Sequence, residues 1–214
     1  MASVSSAADR SLPLRERKKL RTRRALADAA LRMFTEKGFD ATTLEELVDV
    51  VEVSKSTFFR TFPAKEAAAI EAEVELWSAY LTALRDHTLS GVVLTEMKDI
   101  LCGVVTGLDA DWPDRYVATR RLVLTAPTLM AYTAHHRADI QQQISDRLAD
   151  KLELPVGDLR PQVLAELTTT AWTIAARAWV RTGGQGGRQF LLESVEHAFQ
   201  TIPASLELSV QTGR

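Results

Sequence analysis

Residues 43–62, TLEELVDVVEVSKSTFFRTF, read as two short helices meeting at a tight turn. In the first, Leu44, Leu47, Val48 and Val51 fall at i, i+3, i+4 and i+7, one apolar stripe of a 3.6-residue helix. Thr43 and Glu46 have the spacing of a capping box, in which each side chain serves the other residue's backbone N–H. Ser54 is an N-cap for the second helix, and Val53 and Phe58 are placed to staple its entry. Pro63 ends that helix after about two turns. At 100° per residue, Phe58 and Phe62 share one face. Ser56, Thr57 and Arg60 point the opposite way, flanked by Lys55, Phe59 and Thr61. A short helix that offers hydroxyls and cations is poor material for catalysis. It suits a B-DNA major groove, ~12 Å wide, whose base edges such side chains reach. The competing reading is a helical hairpin inside an ordinary all-α core.

The N-terminal neighbour favours the groove. Residues 15–24 hold Arg15, Arg17, Lys18, Lys19, Arg21, Arg23 and Arg24 against one acid, Glu16. Residues 1–24 therefore carry eight cations (Arg10 included) against Asp9 and Glu16, a balance of +6. The whole chain is −2, which leaves −8 for residues 25–214. A basic run on an acidic body points to a nucleic-acid arm, the alternative being a solvated helix start. Cations at a helix N-terminus oppose the macrodipole, a cost that phosphates would relieve. Residues 1–14, rich in Ser and Ala without an apolar run, read as a disordered arm and not as a secretory signal. Residues 20–37 form a helix with Ala27, Ala30, Leu31 and Phe34 on one face, stopped by Gly38. The three helices can share a core of Ala27, Leu31, Phe34, Phe39, Leu44, Leu47, Val51, Phe58 and Phe62.

Residues 15–66 resemble the DNA-binding domain of the TetR family of bacterial transcriptional regulators. The matching elements are Ala29-Ala30-x-x-Met33-Phe34, Lys37-Gly38-Phe39, Thr42-Thr43-Leu44, and the run from Val53 through Ser54-Lys55-Ser56-Thr57-Phe58-Phe59-Arg60-Thr61-Phe62-Pro63 to Lys65-Glu66. The resemblance implies that residues 54–62 are the recognition helix. It also implies that Thr43 and Lys65 meet phosphates. The chain departs from the family pattern at three positions. Phe59 stands where Tyr is common and Thr61 where His is common, so both lose or shorten a donor to phosphate. Glu52 replaces the usual turn glycine and puts an acid close to the DNA.

Beyond Pro63 the chain stays helical, with segments at about 64–87, 93–108, 113–125, 127–152, 158–181 and 188–202 between Gly/Pro breaks. The expected architecture is all-α: about nine helices, an N-terminal three-helix helix-turn-helix domain at 15–63, and a C-terminal effector-binding and dimerisation bundle at 64–214. No apolar run approaches the ~20 residues of a membrane span, so the expected location is the cytoplasm with no membrane partner. Residues 159–180 and 190–202 are apolar enough to be buried by something. Intramolecular core accounts for part of them, and the resemblance implies a homodimer for the rest. Twin recognition helices would then read half-sites of a palindromic double-stranded operator ~34–36 Å apart.

The resemblance also implies a small-molecule effector among the middle helices. Candidates by position and chemistry are Trp77, Met97, Leu101, Val105, Trp112, Tyr116, Met130 and Trp172, with Arg120 or the adjacent Arg121 as an anchor for an anion. The plain alternative for the Trp and Met residues is core, and for the arginine a salt bridge between helices. No catalytic residue, metal or cofactor is expected. Cys102, the single cysteine, sits in an apolar run and reads as a buried inert thiol. His135 and His136 lack metal-ligand spacing, and the 183–187 glycine cluster, without a Walker lysine, reads as a flexible link. The function that follows is a homodimeric, ligand-responsive repressor, released from its operator by a small lipophilic effector. The alternatives are a regulator without effector that answers to a protein partner, and an all-α binding protein that has lost its DNA affinity.

Overall fold

The computed structural model of the chain describes residues 13–209, and among these it holds ten helices and no strand. They are α1 (Leu14–Lys37), α2 (Leu44–Val50), α3 (Lys55–Thr61), α4 (Lys65–Ala69), α5 (Glu71–Asp86), α6 (Val93–Gly107), α7 (Trp112–Val123), α8 (Pro127–Lys151), α9 (Arg160–Arg181) and α10 (Gly187–Leu206). They fall into two compact units. Within the described residues, one comprises 13–74 and 109–133, the other 75–108 and 134–209. The arm expected over residues 1–14 lies outside the described residues except for Pro13 and Leu14, and Leu14 is helical.

In the first unit α1 begins at Leu14, six residues before the expected start. Lys and Arg are good helix formers, and Glu16 pairs with Lys19 one turn on at 2.9 Å, so nothing between Leu14 and Leu20 interrupts the helix. The basic run is therefore the first half of a helix. α2 opens on the expected capping box: Thr43 Oγ1 accepts the Glu46 N–H at 3.2 Å, and Glu46 Oε2 accepts the Thr43 N–H at 2.9 Å. The expected core forms. Ala27, Phe34, Phe39, Leu47, Phe58 and Phe62 are buried, and Leu31, Leu44 and Val51 pack against them half-buried.

The expected helix over 64–87 breaks at Ile70, which takes φ −105° and ψ 19°, and this makes ten helices of the expected nine. No Gly or Pro marks the break. Two carbonyls beside it are taken by α7 instead: Trp112 Nε1 donates to Ala72 O at 2.8 Å, and the Thr119 hydroxyl to Ala69 O at 3.4 Å. Beyond these bonds, Leu122, Val123, Ala126 and Leu129 complete the core under the helix-turn-helix. The first unit thus reaches past residue 63, where the sequence suggested a boundary, to take in 64–74 and 109–133.

The second unit is built around α6, α9 and α10 packed on one another. Trp172, Ala175, Ala176 and Trp179 of α9 and Leu191, Val195 and Phe199 of α10 are buried. The glycine cluster between them is a tight turn and not a loose link. Gly183, at φ 72°, donates to Val180 O, and Gly184 donates to Trp179 O at 3.1 Å, closing α9 in a Schellman motif. At Gly186, φ 76°, a Cβ would lie 2.6 Å from Phe190 Cβ. Cys102 is half-buried where full burial was expected, and burial pushes its thiol up, away from the reactive thiolate. Among the described residues no helix is long and apolar enough to cross a membrane.

Candidate nucleic-acid interface

The turn into α3 carries the substitution singled out above. Glu52 sits at φ 55°, in the left-handed region, at the residue after the α2 C-cap. Its N–H donates to Asp49 O at 3.1 Å, and the Val53 N–H to Val48 O at 3.0 Å. These two bonds are a Schellman closure, whose C′ position favours glycine. The turn therefore keeps its geometry with a glutamate in it, at a backbone cost of about 1 kcal/mol. Ser54 then caps α3 by accepting the Thr57 N–H at 3.1 Å.

Phe58 faces the core, and the opposite face is open. Lys55, Ser56, Phe59 and Arg60 are exposed, Phe59 to 56%, a large apolar surface to leave in water. A hydroxyl chain stiffens the face: Ser54 Oγ lies 3.0 Å from Thr57 Oγ1, which accepts from Arg60 Nη2 at 3.1 Å. Lys55 pairs with Glu45 at the surface, an exposed pair that a phosphate can replace at little loss. Thr61 turns its hydroxyl back to Thr57 O at 2.8 Å and is half-buried. Between α3 and the first half of α1 runs a groove of about 870 Å³. Its walls carry Arg15, Lys18, Lys19 and Arg23 from α1, and Thr57, Arg60 and Thr61 from α3. A helix face rich in donors beside a cation-lined groove is the chemistry of a polyanion surface read by short side chains.

Two expected phosphate contacts are otherwise engaged. Thr43 Oγ1 and its N–H serve the capping box. Lys65 opens α4 as expected, yet its ammonium turns inward. It donates to Phe39 O at 2.8 Å and Thr42 O at 2.9 Å, and lies 4.1 Å from the centroid of the Phe39 ring. One lysine thus closes the turn between α1 and α2, with a single N–H remaining for any phosphate.

This geometry agrees with what the chain is similar to. Residues 26–72 match the sequence model of the bacterial regulatory proteins of the tetR family, and residues 105–207 that of the MftR C-terminal domain. The HTH-type transcriptional regulator TcmR of Streptomyces glaucescens is 27% identical over 96% of this chain and 93% of its own length. RutR of Escherichia coli K12, also an HTH-type transcriptional regulator, is 36% identical over 67 residues, 30% of this chain and 32% of its own. A transcriptional regulator from Aquifex aeolicus VF5 shares the fold, with a TM-score of 0.53 at 15% identity over 85% of this chain and 99% of that one. The chain belongs to the TetR family of bacterial transcriptional regulators. It is a DNA-binding regulator, and TetR regulators are not enzymes.

For a TetR regulator the second question is the effector, and the structure divides the residues expected to hold one. Trp112, Tyr116, Arg120 and Met130 belong to the first unit. The Trp112 and Tyr116 ring centroids lie 4.9 Å apart in its core, the planes tilted by 34°, and Met130 is 45% exposed. Arg120 lies 3.0 Å from the buried carboxylate of Glu73. Burial works against its charge, and Glu73, together with Tyr116, more than offsets this, holding the guanidinium above its usual range. Arg120 is thus the helix-to-helix bridge, the plainer of its two readings. Trp77, Met97, Leu101, Val105 and Trp172 are buried in the second unit. The Trp77 ring lies 6.2 Å from that of Trp172, and Met97 Sδ accepts from Thr168 at 3.8 Å.

Sequence reasoning passed over two residues. Tyr80, 5.6 Å from the Trp77 ring, is buried with its hydroxyl unbonded among the described residues, and burial pushes the phenol up. One turn after Trp77 on α5, it looked like one more core aromatic. Arg23 holds Glu71 and the end of α3, a pairing that no local pattern announces.

Proposed function

We propose that this TetR regulator is a homodimeric repressor of the cytoplasm, reading a palindromic operator through α3 and released from it by a small lipophilic effector. The observation that carries the reading is the exposed face of Lys55, Ser56, Phe59 and Arg60 beside the cation-lined groove. Arg60 is the residue to read a base edge. Lys55, Ser56, Thr57 and Thr61 serve the backbone alongside, and Phe59 meets sugar or a thymine methyl. Thr43 and Lys65 stand behind them as supports of the turn. The dimer is supported by apolar side chains that α9 and α10 leave open, among them Val163, Ile174 and Phe190.

The effector reading is supported by the second unit, where Trp77, Tyr80, Met97, Leu101, Val105 and Trp172 supply aromatic and aliphatic side chains and, at Tyr80, a hydroxyl unbonded among the described residues. Among the described residues the buried charged side chains, Glu71 and Glu73, lie in the first unit and are paired. An uncharged ligand follows, in place of the anion that an open Arg120 would have suggested. By linkage, operator DNA must weaken effector binding by the factor that effector weakens operator binding.

Selection from a random-sequence duplex pool at two salt concentrations tests the regulator directly. The expected product is one palindrome, bound by two chains, with affinity falling steeply with salt. Recovery of no enriched sequence at either salt would refute operator recognition by the unliganded protein.

A further inference from the structure

We propose that Arg23 is a positioning residue for DNA recognition, setting the pose of the recognition helix without touching DNA itself. α3 has seven residues and is too short to hold itself, so contacts at its two ends decide where its outer face points. Its N-terminus is fixed by Ser54. The carbonyls of its last turn, like those of any helix, lack partners within the helix and carry the negative end of the dipole. Arg23 supplies the missing donor: Nη1 bonds to Thr61 O at 2.9 Å.

That guanidinium is itself held on two further sides. Its Nη2 donates to Glu71 Oε2 at 2.6 Å, and Nε donates to Oε1 of the same carboxylate, the forked pairing that locks both planes. Its carbon lies 4.6 Å from the centroid of the buried Phe62 ring, the residue that ends α3. Glu71 is 6% exposed and begins α5. One planar group therefore ties the end of the recognition helix to α1, on which Arg23 sits, and to the first turn of α5. A lysine could not reproduce this, because its ammonium has no plane to orient. Base contacts tolerate little displacement, whereas phosphate contacts carry no sequence information. Loosening this bridge should cost specificity before it costs general DNA affinity.

Arg23 also lines the cation groove, so the rival role is a phosphate grip. The inference rests on α3 being the recognition helix, and selection of a duplex by the unaltered protein checks that first and separately. Arg23→Gln and Glu71→Gln would then be measured on the selected duplex and on a scrambled one, across a salt series and well below each thermal midpoint. Both variants should lose roughly tenfold in the ratio of selected to scrambled affinity, about the weight of one base contact. Affinity for the scrambled duplex and the salt slope should stay as they were. The two changes together should lose no more than either alone, since one bridge is removed. The proposal fails if Arg23→Gln weakens both duplexes alike and lowers the salt slope by about one. It fails equally if the ratio is unchanged in both variants. Should Arg23→Gln not fold, Glu71→Gln, which keeps the side-chain shape, decides alone.

Discussion

Among the described residues of the first unit the two buried acids, Glu71 and Glu73, are each answered by an arginine, Arg23 and Arg120. The second unit buries no acid among the described residues, and its fully buried polar side chains, such as those of Thr168, Thr169 and Tyr80, are neutral hydroxyls. A buried ion pair adds little net stability over an apolar pair of the same volume, but it has direction. The first unit accordingly specifies where α3, α5 and α7 stand relative to α1. The second relies on apolar and aromatic packing, which tolerates rearrangement and suits a neutral ligand. This division fits the proposed regulator, which would present one helix to DNA and answer to a small molecule.

The contrast can be broken most sharply at a bridge. Arg120→Ala leaves Glu73, 4% exposed, as an uncompensated buried carboxylate, and chemical denaturation should register a loss of about 3 kcal/mol. A change within about 0.5 kcal/mol, the size of a surface substitution, would mean that water reaches the pair. In the second unit the corresponding experiment should have the opposite sign. Tyr80→Phe removes a buried hydroxyl without a bond and should gain about 1 kcal/mol. A loss in the same denaturation assay would reveal a partner for it.

Both units end a helix with a glutamate in the left-handed region, Glu52 at φ 55° and Glu153 at φ 50°. In each the next residue's N–H returns to the helix, Val53 to Val48 O and Leu154 to Ala149 O. Glycine at either position should raise stability by up to about 1 kcal/mol. Glu52→Gly alone should also strengthen DNA binding, by removing an acid beside α3, and titration on the selected operator would separate the two. Equal effects of both variants on operator affinity would place Glu52 away from the DNA.

The smallest effect concerns acid. The Thr43 backbone N–H, and after it Lys37, hold the Glu46 carboxyl below its ordinary value of 4.5. A depressed folded pKa gives stability that is complete above the unfolded value and is lost as pH falls through the folded one. Unfolding followed from pH 6 downward should therefore show a loss setting in below about 4.5 that Glu46→Gln diminishes. An identical pH profile in that variant would assign the loss to other carboxylates.

The helix-turn-helix was legible because its determinants are local. A capping box links residues three apart, a staple residues five apart, and an apolar stripe repeats every turn, so Thr43, Glu46, Ser54, Val53 and Phe58 announce their roles before anything has folded. The resemblance to TetR regulators added the recognition helix from residues that also lie close together. The effector residues were less legible, since an apolar stripe that lines a site and one that fills a core have the same spacing. Trp112 and Tyr116 proved to be core of the first unit, and Tyr80 was passed over.

By itself the sequence determined most of the helices, the caps of α2 and α3, and the exposed face of α3. The tertiary structure decided where the charges went. Glu71 lies 48 residues from Arg23, and Glu73 47 from Arg120. Lys65 meets the carbonyls of Phe39 and Thr42 across more than twenty residues, and α5 starts afresh after Ile70 although no residue there breaks a helix. Helix periodicity is set by bonds between residues a turn apart and is written along the chain. An ion pair is set by distance and by how much water is excluded, and both exist only once the helices have packed.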